Sequence, residues 1–373
     1  MKIIKIETIP LHIPVKFPLI ESGGTFNEFN HVIIKVHCDN GVIGISEVEA
    51  YPSFERPGVE TQAGIVAIIK DHLENCLVGE NPYNIERIWL KMDHAIEGYL
   101  RVKGPLDIAL YDAIGKHLGI PVYELIGGCV RDEYFVEGVG YGISIEEPKN
   151  VAAIARKAVS EGYRELELKA GDDKPEMDVE RLKKVRSAIG PNIPIKIDFN
   201  GYYDAKTAIL IIKEMEQFGI QWVEQPVKYW DLEGLAFVRN AVNTKLVVDE
   251  AVESCYDLIN IIKAKAADAV HIKPTIKGGL TGAKKLSALA EAAGLDIIPG
   301  TSAPTGLGIA GVQAFIASLG KMARGTHGSP LDIIEEDIIL NPIPRNSTKI
   351  KIPRNAGLGV ELNEKILKRY RAD

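Results

Sequence analysis

Five short segments in the middle of the chain each carry, at or near their end, a residue that can bind a metal or move a proton. These residues are Lys169, Asp198, Glu224, Asp249 and Lys273, separated by steps of 29, 26, 25 and 24 residues. Each step is about the length of one strand, one helix and two loops in a repeating βα unit. Because all strands of a parallel βα barrel point the same way, residues at their carboxyl ends meet at one mouth, where active sites of this architecture lie. The spacing therefore predicts an α/β barrel with these five side chains at a common site.

The βα alternation extends beyond these five segments and predicts eight strands with seven helices. The predicted strands are 134–141, 164–169, 194–199, 220–224, 245–249, 268–273, 295–298 and 322–326. Helical patterns between them include 148–162, 175–189, 204–218 and 280–293. The eighth strand leads into a proline-rich tail instead of a helix, and we expect this tail to return to the first part of the chain.

The amino-terminal part does not follow this alternation and predicts a small α+β unit. Strands are expected at 5–9, 31–37 and 42–45, and helices at 59–76, 83–97 and 105–118, the last with Pro105 near its start. Two long, irregular loops are expected at 17–30 and 47–58. Loops of that length in a compact domain are usually functional or mobile, and an unstructured hairpin tip is the alternative for each.

Length and charge limit the classes of protein to which the chain can belong. At 373 residues it fits a barrel of about 250 residues with an added domain. A net charge of −7 without a long basic run argues against nucleic acid or an anionic membrane surface as the partner. Charge interrupts the amino terminus too early for a signal peptide, and no apolar run reaches the roughly 18 residues of a membrane helix. With four widely spaced cysteines, these features predict a cytoplasmic enzyme.

The residue types at the five strand ends favour proton abstraction assisted by a hard cation. Three carboxylates, Asp198, Glu224 and Asp249, would hold Mg²⁺ or Mn²⁺ through oxygen and leave positions open for substrate and water. Lys169 and Lys273 flank them, and lysine becomes a general base when burial and a nearby cation lower its pKa. A polar layer that caps the barrel core would explain any one of these groups alone, but not five in register. Together they specify removal of the proton α to a carboxylate, with the resulting charge held on the metal.

Strand alternation adds neighbours to this set. Residues two apart on a strand share a face, so Glu167 accompanies Lys169, Lys196 and Asn200 accompany Asp198, and His271 accompanies Lys273.

At these positions the sequence resembles the muconate-lactonizing-enzyme subgroup of the enolase superfamily, within the mandelate racemase and muconate lactonizing enzyme family. The resemblance covers nearly the whole chain, from the strand ends to the turn at 278–280, the helix at 107–112 and the segment at 357–360. It implies a (β/α)7β modified TIM barrel over 128–330, with an α+β capping domain built from 1–127 and the tail 331–373. It further implies Mg²⁺ or Mn²⁺ as cofactor, a small carboxylate substrate and a homo-oligomer.

The resemblance also assigns roles to individual residues. Lys169 and Lys273 would be catalytic, and Asp198, Glu224 and Asp249 would bind the metal. The supporting residues would be Asn200, Glu250 and Glu167, and the candidates for substrate binding are Arg56, Tyr141, Thr301 and His327.

Three departures from the subgroup bear on the substrate. Glu167 stands where a lysine is usual, and a carboxylate there favours the ammonium form of Lys169. The loop 300–306 lacks the acidic residue often found in it. His327 stands where muconate cycloisomerases carry a glutamate, in a segment without the paired aspartates of dipeptide epimerases. We therefore expect little muconate lactonization and little dipeptide epimerization, with His327 equally open to a structural role.

The residues predict a Mg²⁺-dependent isomerase of the racemase, epimerase or cycloisomerase type, with racemization or epimerization the most economical form. A lyase of the same fold is the main alternative: loss of the α-proton would be followed by loss of a β-hydroxyl, with Lys169 or His327 as the acid. A non-catalytic binding protein is the alternative from another class. It is disfavoured because both lysines and all three carboxylates are present.

Overall fold

Three antiparallel strands at the amino terminus form a small sheet covered by helices. The structure is a computed structural model that describes residues 1–21, 24–50, 61–136, 142–323 and 328–372. The strands are β1 (Ile3–Glu21), β2 (Gly24–Cys38) and β3 (Ile43–Glu49), paired in that order. The helices are α1 (Gln62–Ile68), α2 (Glu74–Leu77), α3 (Ile85–Ala95), α4 (Leu100–Leu118) and α5 (Val122–Leu125), with a π-helical turn at Ile69–Leu73 between the first two. This is the α+β unit that the sequence predicts.

Strands β1 and β2 are longer than the sequence predicts, so the expected loop at 17–30 is wrong for most of its length. Leu19 pairs with Phe26 and Ile20 with Thr25, which makes a β-hairpin arm. The Ile145 amide donates a 2.9 Å hydrogen bond to the Ile20 carbonyl. Pairing satisfies backbone groups that a bare loop would leave to water. Of the second expected loop, Glu47 to Glu49 belong to β3, and residues 51–60 lie outside the described part of the chain.

Helix α4 begins five residues earlier than the sequence predicts, and Pro105 lies inside it. A proline inside a helix removes one backbone hydrogen bond. Here every residue from 101 to 110 is buried, and the helix contacts both β3 and the helix that begins at Gly279, so this packing outweighs the lost bond. Gly119, at φ 70°, ends the helix in the left-handed conformation.

A curled parallel sheet alternates with helices through the rest of the chain. A short strand, β4 (Glu133–Phe135), precedes the six adjacent parallel strands β5 (Leu166–Lys169), β6 (Ile195–Asp198), β7 (Trp222–Glu224), β8 (Lys245–Val248), β9 (Ala269–Ile272) and β10 (Asp296–Pro299). The helices are α6 (Pro148–Ser160), α7 (Pro175–Ile189), α8 (Ala205–Glu216), α9 (Leu232–Ala241), α10 (Cys255–Ala264), α11 (Gly279–Ala292) and α12 (Gly306–Ser318). The predicted barrel architecture is confirmed.

The sheet continues beyond β5 at Ile143, two residues after the predicted first strand, and beyond β10 at Ala323, within the predicted eighth strand. Ile143 forms a parallel bridge to Leu168, and the Ala323 amide donates a 2.8 Å hydrogen bond to the Ile297 carbonyl. Residues 137–141 and 324–327 lie outside the described part. The beginning of the expected first strand is different: β4 pairs antiparallel with β11 (Lys349–Lys351) of the tail.

The carboxyl-terminal tail runs back to the amino-terminal sheet. It contains a 3₁₀ turn at Pro330–Asp332 and ends in α13 (Glu364–Tyr370). The Lys16 amide donates to the Ile333 carbonyl at 2.8 Å, and Leu11 bridges to Arg371. The division of the chain at 127/128 and 330/331 stays a prediction.

Two buried glutamates of β3 tie the amino-terminal sheet to the barrel loops. Glu49 accepts hydrogen bonds from the Thr275 hydroxyl at 2.7 Å and from the Ala303 amide at 2.6 Å. Glu47 accepts from the Thr305 amide at 2.7 Å. These loops follow β9 and β10, so the contacts hold the sheet beside the carboxyl ends of the barrel strands.

Candidate active site

The carboxyl ends of β5 to β9 bring the five predicted residues to one side of the barrel. Lys169 is the direct cross-strand partner of Asp198, which is in turn the partner of Glu224. Asp249 and Lys273 directly follow β8 and β9. The three carboxylates and Lys273 are buried, and the Lys169 side chain is 11% exposed. The sequence prediction that these side chains share one site agrees with their placement.

A row of alternating charges connects the first three of these strands. Lys169 Nζ lies 2.7 Å from Asp198 Oδ2 and 3.1 Å from Glu167 Oε1. The other oxygen of Glu167 lies 2.7 Å from Lys196 Nζ, which lies 2.6 Å from Glu224 Oε2. Each ammonium group in this row thus contacts two carboxylates, which compensates the cost of burying it.

The row continues through β8 and β9. Glu224 Oε1 lies 3.0 Å from His271 Nδ1. Lys273 Nζ donates to Asp249 Oδ2, and Lys277 Nζ donates to Asp249 Oδ1 at 2.8 Å. Lys277 also donates to the His271 carbonyl at 2.7 Å. Lys169 and Lys273 therefore lie towards opposite ends of one buried polar layer.

Within the described residues, Glu224, Asp249 and His271 offer ligand atoms that all lie within 4.8 Å of one another. All three residues are buried, and this group is consistent with a divalent metal. The layer contains five carboxylates (Glu167, Asp198, Glu224, Asp249 and Glu250) and four lysines (Lys169, Lys196, Lys273 and Lys277). Its formal charge is therefore negative when His271 is neutral, which suits a bound cation.

Burial and neighbouring charges move the pKa values in this layer in different directions. Burial raises the pKa of Asp198 to about 7, against the effect of Lys169. Burial also opposes ionisation of Glu224 and Asp249, but Lys196 beside Glu224 and Lys273 beside Asp249 outweigh it and lower both pKa values. Burial lowers the pKa of His271, so its imidazole is held in the neutral form.

The predicted supporting residues lie in the same network. The backbone N–H of Asn200 donates to Asp198 Oδ1 at 2.9 Å, and the side-chain Nδ2 of Asn200 donates to Glu250 Oε1 at 2.9 Å. Asn200 Oδ1 is buried and has no hydrogen-bond partner among the described residues, so it is an oxygen that a ligand could use. Asn200 has φ 44° and Gln225 has φ 36°. Left-handed conformations in residues other than glycine cost energy and are concentrated at functional sites.

Of the four predicted substrate-binding residues, one lies in the described part of the chain. Thr301 is buried in the loop after β10. Its neighbour Gly300 packs against His271 so closely that a Cβ there would lie 1.7 Å from Nε2. Arg56, Tyr141 and His327 lie outside the described residues.

Sequence reasoning gave no role to Lys196, Lys277, His271 or Gln225. Strand alternation already put Lys196 on the face of Asp198 and His271 on the face of Lys273, so the pattern contained a usable signal for both. Gln225 follows Glu224 directly, and its Oε1 accepts from the Asp249 amide at 3.1 Å. Lys277 lies in the turn between β9 and α11, where no strand periodicity indicates which way a side chain points.

Family models match both parts of the chain. The model described as "Mandelate racemase / muconate lactonizing enzyme, N-terminal domain" matches residues 3–127, and the model described as "Enolase C-terminal domain-like" matches residues 150–366. Together these matches cover most of the chain and agree with the resemblance in the sequence.

Individual relatives include three named isomerases. The N-succinyl-L-Arg/Lys racemase of Bacillus cereus is 31% identical over 98% of this chain and 97% of its own. Its crystal structure has a TM-score of 0.94, covering 100% of this chain and 99% of that one. The L-Ala-D/L-Glu epimerase of Bacillus subtilis is 31% identical over 96% of this chain and 97% of its own.

A third relative was crystallised with a metal. The structure of the dipeptide epimerase of Enterococcus faecalis, "complexed with Mg and dipeptide L-Leu-L-Tyr", has 28% identity and a TM-score of 0.89, covering 97% of this chain and 100% of that one. These relatives confirm the prediction of an enolase-superfamily isomerase, for which racemization or epimerization is plausible. The chain belongs to the mandelate racemase and muconate lactonizing enzyme family of the enolase superfamily.

Proposed function

We propose that the protein is a Mg²⁺-dependent racemase or epimerase that removes and returns the α-proton of a small carboxylate. One observation carries the proposal: two lysines lie towards opposite ends of a buried layer of carboxylates that can hold a cation. Lys169 contacts Asp198 at one end, and Lys273 contacts Asp249 at the other. Two bases on opposite sides of one α-carbon are what inversion at that carbon requires.

The carboxylates would hold the metal. Glu224 and Asp249 belong both to the predicted set and to the group of close ligand atoms. Mg²⁺ prefers oxygen ligands, so we propose Asp198 as the third ligand. His271 would then orient Glu224 through their 3.0 Å contact. When bound, the metal supplies a Lewis acid for the negative charge that develops on the substrate carboxylate.

The lysines would move the proton. Lys273 in its neutral form takes the α-proton from one face of the substrate, and the Lys169 ammonium group donates a proton to the opposite face. The two residues exchange these roles when the other enantiomer is the substrate. Contacts with Asp249 and Asp198 fix the two amino groups between turnovers.

A panel of carboxylates tests the reaction and its metal requirement. The panel contains N-succinyl-arginine and N-succinyl-lysine, alanyl-glutamate and cis,cis-muconate, and chiral chromatography or absorbance follows each conversion. We expect inversion of an N-succinyl amino acid, its loss in chelator, and its return with Mg²⁺. We also expect kcat/KM well below about 10⁴ M⁻¹s⁻¹ for muconate and for alanyl-glutamate. Full activity in metal-free protein, or efficient conversion of muconate, would contradict the proposal.

The location of the protein and its binding partners are not determined by the reaction. None of the helices in the described ranges is long and apolar enough to cross a membrane. A small-molecule substrate agrees with the dipeptide in the Enterococcus faecalis structure. The cytoplasmic location, the homo-oligomeric state and the absence of nucleic-acid and membrane partners stay predictions.

A further inference from the structure

Glu167 and Lys196 form a buried ion pair beside Lys169. They are direct cross-strand partners on β5 and β6. Glu167 is 3% exposed and Lys196 is fully buried. A buried charge without a partner is strongly unfavourable, so the position of each group depends on the other.

The two oxygens of Glu167 are committed to different cations. Oε2 lies 2.7 Å from Lys196 Nζ, and Oε1 lies 3.1 Å from Lys169 Nζ. Because Lys196 is held on its other side by Glu224 at 2.6 Å, it fixes one oxygen of Glu167 and so sets where the other oxygen lies. Gly142 closes the remaining space, since a Cβ there would lie 3.0 Å from Glu167 Oε1.

We propose that Glu167 and Lys196 act as one positioning unit that holds the Lys169 ammonium group at the face of the substrate it serves, an inference that rests on the proposed function. The positive charge of Lys196 compensates the negative charge of Glu167 and keeps that carboxylate in place. Lys273 pairs with Asp249 on the far side of the layer. The unit therefore acts on one of the two proton transfers.

The decisive variant is Glu167→Gln, which keeps the shape of the side chain but leaves it one acceptor oxygen for two ammonium groups. Exchange of the α-hydrogen in D₂O is followed by NMR for N-succinyl-L-lysine and, separately, for its D enantiomer. Lys169→Ala identifies the enantiomer that depends on Lys169. We expect Glu167→Gln to slow exchange of that enantiomer by about 10- to 100-fold, while exchange of the other stays near the parental rate.

Two controls distinguish a change in the position of Lys169 from general damage to the metal site or the fold. Glu167→Gln keeps Asp198, Glu224 and Asp249, so it is expected to retain Mn²⁺ binding in titration calorimetry, and exchange is compared at saturating metal so that a change in affinity does not contribute. Asp268→Asn makes the same chemical change in an ion pair with Arg239 at the amino-terminal end of the strands, where Asp268 Oδ2 accepts from the Leu246 amide at 2.8 Å. This control is expected to leave the exchange of both enantiomers unchanged.

A second pair of variants tests whether the two residues act as a unit. Exchange is measured at saturating Mg²⁺, because removal of the cation beside Glu224 can change metal affinity. Under this condition Lys196→Met and the double variant Glu167→Gln/Lys196→Met are each expected to slow the Lys169-dependent exchange about as much as Glu167→Gln alone, because residues that act together have non-additive effects. Equal slowing of both enantiomers, or a double variant whose loss is the product of the two single losses, would overturn the positioning role. Exchange of neither enantiomer by the parent protein would instead contradict the proposed function, and this inference with it.

Discussion

Single residues decide how the carboxylates of the site are balanced. Glu224 contacts Lys196 through one oxygen and His271 through the other, so the chain has placed one cation and one neutral ring around this carboxylate. Both neighbours are buried. Glu224 is thus held in a fixed orientation before any metal arrives, which reduces the cost of organising it on binding.

Glu224→Gln tests this residue as a ligand. The amide keeps the size of the side chain but removes the negative charge that opposes Lys196 and attracts a cation. We expect Mn²⁺ affinity, measured by titration calorimetry, to fall by at least about 100-fold, with Asp268→Asn as the matched control that binds Mn²⁺ normally. Parental affinity in Glu224→Gln would show that this carboxylate is not a ligand.

At the scale of elements, the structure depends on how α4 meets the barrel. Asp107 of α4 is fully buried and accepts hydrogen bonds at the start of α11, from the Thr281 hydroxyl at 2.6 Å and the Thr281 amide at 3.1 Å. It also accepts a hydrogen bond from the indole of Trp89 at 2.7 Å. The turn before α11 carries Lys277, so this junction connects the amino-terminal unit to a residue beside Asp249.

Protonation of Asp107 makes the free energy of unfolding depend on pH. Burial raises its pKa from 3.8 to about 6 in the folded protein. The folded state therefore binds this proton more tightly than the unfolded state, and the resulting stabilisation is present below about pH 4 and lost as the pH rises through about 6.

Asp107→Asn is expected to remove this dependence. The difference in unfolding free energy between parent and variant should move in favour of the variant by an amount on the order of 3 kcal/mol between pH 4 and pH 7. Denaturant titrations at several pH values measure it. A difference that does not change with pH would contradict the assignment.

Some elements could be predicted from the sequence because one local signal dominates each of them. The polar residues at the carboxyl ends of β5 to β9 follow segments that are mostly apolar and buried, so strand and boundary are indicated together. The arm formed by β1 and β2 could not be predicted this way, since Pro14, Pro18, Gly23 and Gly24 suggest a loop. Pairing of the two segments with each other, and contact with Ile145, keep them extended.

At the scale of the whole molecule, the positions of the five proposed catalytic and metal-binding residues are more predictable than those of the residues around them. A strand-end register alone locates Lys169, Asp198, Glu224, Asp249 and Lys273. Strand alternation places Lys196 on the face of Asp198, but its carboxylate partners on the two neighbouring strands are seen only in the structure. Lys277, which points back from a turn, also required the structure. Such contacts depend on three-dimensional packing that no periodic pattern encodes.

Both parts of the molecule contribute residues that shape the site. Glu47 and Glu49 of the amino-terminal sheet hold the loops after β9 and β10, and the tail returns to β1 on the other side of that sheet. In the proposed function the barrel strands supply the reacting groups. The amino-terminal unit fixes loops beside them, which suits a site that must exclude water around a developing charge.

The most direct test of the central claim is exchange of the substrate α-hydrogen with solvent deuterium, followed by NMR for each enantiomer of N-succinyl-lysine. The account predicts that Mg²⁺-loaded protein exchanges both enantiomers and that chelator stops both. It also predicts that Lys273→Ala abolishes exchange of one enantiomer while Lys169→Ala abolishes exchange of the other. Exchange at the parental rate in metal-free protein, or exchange of both enantiomers at the parental rate by Lys273→Ala, would contradict it.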